Sequence, residues 1–246
     1  MTTYLIAALV TLAFTIVLTV AGLGAAFILV PVYLALGVEM HSAQATALLL
    51  NAIAMAFACA RFIPAKLVDF RIAVPIVIVA TVLSPLGAYT SSFVPVTTLK
   101  WMFIGFLVFA GAMMLFYKPK PHEVAGRGEI VGVGVGGAAG FLGGMLGVGG
   151  GNFVVPALVW LGLDAKRAAG TTAFVVVFAS FAGFLGQASV ATIDTTLLAW
   201  TAVASIIGAL IGSWLMHRKL QAAQVKTSIG VLLFFIAATM AYKLIA

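Results

Sequence analysis

Residues 147–172 read GVGGGNFVVPALVWLGLDAKRAAGTT, and residues 22–47 read GLGAAFILVPVYLALGVEMHSAQATA. The two stretches align without a gap at a spacing of 125 residues, so that Gly22 matches Gly147 and Pro31 matches Pro156. The same spacing pairs polar and small residues further along the chain: Thr46 with Thr171, Asp69 with Asp194, Gly87 with Gly212 and Gly105 with Gly230. The chain therefore consists of two copies of one unit of about 125 residues.

The composition of the chain indicates an integral membrane protein. Of its 246 residues, 64% are hydrophobic and only 8% are charged, whereas a soluble domain carries about 25% charged residues. So few charges cannot cover a water-facing surface, which excludes soluble enzymes and nucleic-acid-binding proteins. The net charge of +7 fits Lys and Arg gathered in short cytoplasmic loops between membrane helices. The single cysteine, Cys59, excludes an intramolecular disulfide and a multi-cysteine metal site.

The apolar segments predict an all-α polytopic fold. A bilayer core of about 30 Å needs roughly 20 helical residues. Ten apolar segments are found, at 4–20, 23–37, 43–62, 71–91, 98–117, 130–146, 149–162, 168–186, 195–214 and 226–245. The segments 23–37 and 149–162 each follow a glycine cluster and are short, so they are either broken spans or re-entrant hairpins. We therefore expect 8–10 segments, with the N-terminal run retained as a helix because it lacks a basic leader region.

Loop charge predicts that the two units have opposite orientations. The loop near 62–71 carries three basic residues, whereas its counterpart near 187–195 carries only Asp194. The loop near 38–42 carries Glu39, whereas its counterpart carries Lys166 and Arg167. By the positive-inside rule, matching loops then lie on opposite sides of the membrane. This requires two inverted-topology repeats of about five segments each.

The repeats define three regions of the chain. Membrane repeat 1 covers residues 1–117, a polar linker covers 118–129, and membrane repeat 2 covers 130–246. The linker is expected to be cytoplasmic, and the protein is expected in the cell inner membrane.

The glycine cluster before each short segment is a candidate anion site. Glycine permits an unwound backbone, and the free N–H groups and positive dipole at a helix N-terminus attract anions. Irregular backbone at membrane depth is tolerated only where it is buried in protein or lines a cavity. Inverted repeats bring two such helix starts together near the midplane, as in several transporters. For the glycines upstream of Gly147, such as Gly136, Gly140 and Gly144, close helix packing is the favoured interpretation.

The sequence resembles the TauE/SafE family, a group of bacterial sulfite and sulfonate transporters. The resemblance is carried by residues 147–158 with Gly170-Thr171-Thr172, and more weakly by residues 22–31 with 45–47. It implies transport of a sulfur oxyanion or organosulfonate across the bacterial inner membrane. Repeat 1 departs from the pattern, because alanines replace two of the glycines and Phe27 stands where repeat 2 has Asn152. The two sites need not contribute equally.

The candidate substrate-binding residues come from the glycine clusters, from the polar residue that follows the second cluster, and from hydroxyls and an amide in the next helices. They are Gly22, Gly24, Thr46, Gly147, Gly149, Gly150, Gly151, Asn152, Thr171, Thr172 and Gln187. The alternative for each threonine is a bond to its own helix carbonyl. Asn51 is expected to bond between helices. Arg61 is either an interfacial arginine or a gating counter-charge.

The function predicted is a secondary transporter that moves a small anion by alternating access. An anion channel, or a transporter of a different small anion, is the alternative. An enzyme is not expected, because no G-x-S-x-G or H-E-x-x-H motif is present and no histidine lies mid-span. No ATP-binding, cofactor or metal motif is found, so the partners are the anion, the bilayer and a coupling ion, proton or sodium. The identity of the anion, the direction of transport and the oligomeric state stay open.

Overall fold

A computed structural model describes residues 2–91, 95–116, 128–146, 150–188 and 191–245. These residues form ten α-helices and no strand. The helices are α1 (Thr2–Ala21), α2 (Ala26–Ala35), α3 (Met40–Phe62), α4 (Phe70–Ser91), α5 (Val96–Phe116), α6 (Gly128–Leu146), α7 (Gly151–Trp160), α8 (Ala165–Ala188), α9 (Thr195–Arg218) and α10 (Ala222–Ile245). Each predicted segment corresponds to one helix, so the predicted all-α fold is confirmed. Of the linker predicted at 118–129, only the last two residues are described, and they belong to α6.

Six of the described helices are long and apolar enough to cross a bilayer, namely α1, α3, α4, α8, α9 and α10. Their outward surfaces carry large apolar side chains such as Leu9, Ile78 and Val203, each 58–60% exposed. Lipid rather than water is the solvent that such a surface requires. The chain is a multi-pass membrane protein.

Corresponding helices begin at the spacing seen in the sequence. The starts of α2 and α7, of α3 and α8, and of α4 and α9 are each 125 residues apart. The two short helices also end alike, with Gly37 and Gly162 in the left-handed conformation at φ 87° and 99°. Behind each glycine, an N–H donates to the carbonyl five residues earlier, from Val38 to Tyr33 and from Leu163 to Leu158. This is the Schellman helix ending, repeated in both halves.

The corresponding helices α3 and α8 run antiparallel. Asn51 bonds to Ser180, and Leu48, earlier in α3, contacts Gly183, later in α8. The corresponding helices α5 and α10 also run antiparallel, because Gly111 contacts Phe234 while Leu115 contacts Gly230. In both pairs, the corresponding helices therefore run in opposite directions.

Glycines bring α4 and α6 together, as the sequence predicted for Gly136, Gly140 and Gly144. A Cβ at Gly140 would lie 2.5 Å from the Ala80 Cα, and one at Gly144 would meet the backbone of Ser84. Such contacts leave no room for a side chain, so packing explains these glycines. Gly208 and Gly212 pack α9 against α1 in the same way.

The loops gather at two ends of the helix bundle. At one end, Arg167 forms an ion pair of 3.0 Å with Asp69, and the Lys166 Nζ donates to the His217 carbonyl. The loops after α3, α7 and α9 therefore share this end, which we call the basic face. At the other end, the Thr192 N–H donates to Ser42. There Asp194 caps α9. The pKa of the Asp194 carboxyl lies below its ordinary range, mainly because it accepts a hydrogen bond from the Leu197 N–H.

Candidate functional site

The short helices α2 and α7 reach only half-way through the bundle. Each has ten residues, or about 15 Å, against the roughly 30 Å of a bilayer core. The start of α2 lies beside Asn51, the twelfth of the 23 residues of α3. The start of α7 lies beside Val176, the twelfth of the 24 residues of α8. Each short helix therefore forms a hairpin with the first half of the next helix, and begins at its mid-depth.

The two helix starts lie against each other. A Cβ at Gly151, the first residue of α7, would lie 2.6 Å from the Leu23 carbonyl oxygen and 2.8 Å from Val176 Cγ2. A Cβ at Gly22, in the turn before α2, would meet the backbone of Ala169. Glycine is required at both positions because the neighbouring backbone fills the space of a side chain.

One face of α8 lines this meeting point. Ala169 contacts the turn before α2, and Val176 contacts the start of α7. Thr172 lies between them on the same face, since residues three and four apart are neighbours along a helix. Its side chain is fully buried.

At the start of α2, a backbone N–H group finds its hydrogen-bond acceptor within the protein. The Ala25 N–H donates to Asn51 Oδ1 at 2.8 Å, and Asn51 Nδ2 donates to Ser180 Oγ at 2.9 Å. The amide thus caps one helix and ties it to α3 and α8, which confirms the expectation of interhelical bonding. Gly24, at φ 75°, would direct a Cβ into this amide, so glycine is needed there too.

Among the described residues, no side chain is found to cap the start of α7 as Asn51 caps α2. Its N-cap is Gly150, at φ 73°, without a capping side chain. The position that corresponds to Asn51 is Val176, which offers no polar group. Asn152, fully buried in the first turn, has no partner for either amide atom among the described residues, and the Thr172 hydroxyl has none either. Buried polar side chains are nearly always hydrogen-bonded, so these atoms are available to a ligand.

The remaining predicted residues are distributed over α3, α8 and the glycine turns. Gly147 and Gly149 lie outside the described residues. Thr46 is buried in α3. The Thr171 hydroxyl accepts from the Asp69 N–H, which places it towards the basic face. Gln187 lies in the last turn of α8, fifteen residues after Thr172 and so about 22 Å away along the helix.

Arg61 is exposed at the end of α3 and lines a cavity on the basic face, apart from the helix starts. Sequence reasoning missed the capping role of Asn51 and its partner Ser180. The contrast of Asn51 with Val176 was readable from the 125-residue spacing alone.

Comparison with known proteins decides the family. A family model described as "Sulfite exporter TauE/SafE" matches residues 6–240. The chain belongs to the TauE/SafE family. The probable membrane transporter protein YunE of Bacillus subtilis (strain 168) is 27% identical over 206 residues, which cover 74% of each chain. No solved structure matches the chain significantly. The predicted family is confirmed, and the chain is a membrane transporter rather than a member of an enzyme family.

Proposed function

We propose that this TauE/SafE protein is a secondary transporter that moves a small anion across the bacterial inner membrane by alternating access. The anion is a sulfur oxyanion or an organosulfonate, such as sulfite, sulfoacetate or a product of taurine. The observation that carries the proposal is the uncapped start of α7, with a buried and unpartnered Asn152 beside it.

The chemistry of this start favours an anion. A helix N-terminus presents N–H groups and the positive end of the helix dipole, and the Asn152 amide and Thr172 hydroxyl add donors. Among the described side chains, the acidic residues lie at helix ends or in loops: Glu39, Asp69, Asp164 and Asp194. A cation at mid-depth would find no carboxylate there, whereas the oxygens of a sulfonate or sulfite would each find a donor.

Alternating access is supported by the inverted relation of the halves. Transporters of this kind place the substrate at the midplane between repeats, where the starts of α2 and α7 meet. Asn152 is fully buried, so an anion reaches it only when neighbouring helices move. The basic face is cytoplasmic by the positive-inside rule.

The first test is uptake into proteoliposomes. Sulfite, sulfate, thiosulfate, taurine, sulfoacetate and chloride are each supplied with and without an inward proton or sodium gradient. We expect saturable, trans-stimulated uptake of a sulfur anion. Uptake that neither saturates nor responds to trans anion would indicate a channel, and transport of chloride alone would contradict the sulfur assignment.

A pair of matched variants tests the site itself. Thr172→Val should lower uptake about tenfold, since one donor to a bound anion is worth about 1.4 kcal/mol. Thr15→Val is the control, because the Thr15 hydroxyl in α1 is equally buried and also lacks a partner but faces α9. Equal uptake by the two variants would contradict the site, and recovery in Thr172→Ser would support it.

A further inference from the structure

A cavity of about 690 Å³ opens on the basic face between the ends of α3 and α9. Its described lining comes from the last turn of α3 and the residues after it, and from the last turn of α9 and the residue that follows. These residues are Ala60, Arg61, Pro64, Ala65, Trp214, His217, Arg218 and Lys219. The lining includes no residue of α2, α7 or α8, so the cavity is separate from the proposed transport site.

The described lining of the cavity is cationic and includes no counter-charge. Arg61, Arg218 and Lys219 contribute three positive charges, and no carboxylate stands among the lining residues. The ion pair found in the described part of the chain joins Arg167 to Asp69, outside the cavity. The C-terminal ends of α3 and α9 stabilise cations through their dipoles. Three like charges around one cavity nevertheless repel each other, so an anionic ligand is favoured.

The cavity also continues into the lipid-facing surface. Trp200, Val203, Ile207, Ile211 and Trp214 are each 42–58% exposed, and their spacing places them along one side of α9. Trp214, the last of them, lines the cavity. On α3, Phe57 is 41% exposed one turn before Arg61. An anion in this cavity would therefore sit at the end of an apolar, bilayer-exposed stripe.

We propose that this cavity binds the phosphate-bearing headgroup of an anionic phospholipid, with the acyl chains lying along the exposed face of α9. Arg61 and Arg218 donate to the phosphate, as basic pockets between membrane helices do on the cytoplasmic side. Trp214 lies at the level of the headgroups, where tryptophan is enriched. Lys219 lies 5.7 Å from the centre of the Trp214 ring, within the range of a cation–π contact that holds both side chains at the rim.

Native mass spectrometry of the full chain tests the proposal, after its release from nanodiscs of mixed phosphatidylglycerol and phosphatidylcholine. The wild-type protein should retain phosphatidylglycerol at least fivefold over phosphatidylcholine. The double variant Arg61→Gln/Arg218→Gln should lose that preference. The control Lys66→Gln/Arg71→Gln removes the same charge from exposed positions outside the cavity and should keep the preference within twofold.

Equal losses in both double variants would overturn the proposal, because the surface charge as a whole would then attract the lipid. Displacement of the retained lipid by millimolar inorganic phosphate would also overturn it, since the cavity would then be a site for the free ion.

A second measurement leaves the charged residues of the cavity in place, so it does not depend on the folding of a charge variant. Dibrominated phosphatidylglycerol and phosphatidylcholine with identical chains are compared as quenchers of tryptophan fluorescence. The part of the emission that disappears in Trp214→Phe should be quenched at least twice as strongly by the phosphatidylglycerol. Equal quenching by the two lipids would contradict a headgroup-specific site.

Discussion

The starts of α2 and α7 occupy corresponding places in the two halves, yet the hydrogen bonding of their N–H groups differs among the described residues. At α2, Asn51 from the neighbouring helix accepts from the Ala25 N–H and is anchored to Ser180. At α7, the corresponding neighbour is Val176, and its N-cap Gly150 has no capping side chain. In the first half a side chain therefore accepts from the helix start, while the start of the second short helix is the one that we propose binds the anion.

The side-chain amide near the helix start stands on a different helix in each half. In the first half it stands on α3, at Asn51, and the corresponding position in α8 is Val176. In the second half it stands on the short helix itself, at Asn152, and the corresponding residue of α2 is Phe27. The amide that caps α2 ties α3 to α8, whereas the amide of α7 has no partner among the described residues. Gene duplication followed by such an exchange would give one structural and one substrate-binding helix start.

The strongest test of this contrast is Asn152→Leu. Leucine has the same number of side-chain heavy atoms and the same branching at Cγ as asparagine, and the amide has no hydrogen bond to lose among the described residues, so the chain should fold normally. We expect uptake to fall at least a hundredfold in proteoliposomes that contain equal amounts of monodisperse protein. Uptake within threefold of the wild type would show that the amide is not a substrate ligand.

The opposite result is expected for Asn51→Leu. The Ala25 N–H would be left buried without a partner, and an unsatisfied buried group costs about 1–3 kcal/mol. The free energy of unfolding, measured by denaturation in mild detergent, should fall by that amount. Ser180→Ala, which removes the other bond but leaves the cap of α2, should cost less. Equal losses of stability in Asn51→Leu and Asn152→Leu would contradict the assigned division of roles.

Val176→Asn would give α7 the cap that α2 already has. An amide at this position competes with the anion for the N–H groups of the helix start, so we expect the apparent KM to rise about tenfold without loss of stability. Initial uptake rates over a range of substrate concentrations measure this shift. Val176→Leu is the control for size, and an equal rise in that variant would attribute the effect to bulk rather than to capping.

Most of the fold was predictable because helix length and glycine position are local properties. The ten segments, the short helices and the packing role of Gly140 follow from apolar runs and small-residue spacing. The residues of the candidate site were harder to predict from the sequence, because neighbouring residues on a helix point about 100° apart. Sequence patterns could not separate Thr172, which faces the helix starts, from Thr171, which bonds to Asp69. The pairing of Asn51 with Ser180 joins residues 129 positions apart and has no local signal. By contrast, the length of α8 alone already separates Gln187 from the mid-depth site.

The smallest effects are expected at the two ends of the bundle, where the halves differ again. Arg167 at the start of α8 pairs with Asp69 at 3.0 Å, while its counterpart Ser42 at the start of α3 accepts from the Thr192 N–H. The ion pair is partly exposed, at 52% and 23%, so solvent screening reduces its contribution to less than about 1 kcal/mol.

Arg167→Gln should therefore change the free energy of unfolding by less than that amount and leave uptake within twofold of the wild type, as should the counterpart variant Ser42→Ala. Parallel unfolding and uptake measurements on the two variants check this. A large loss of uptake in Arg167→Gln at unchanged stability would instead place Arg167 on the path of the anion. The second half would then bind its substrate with a cation at the basic face as well as with the helix start, and the contrast between the halves would extend from the midplane to the membrane surface.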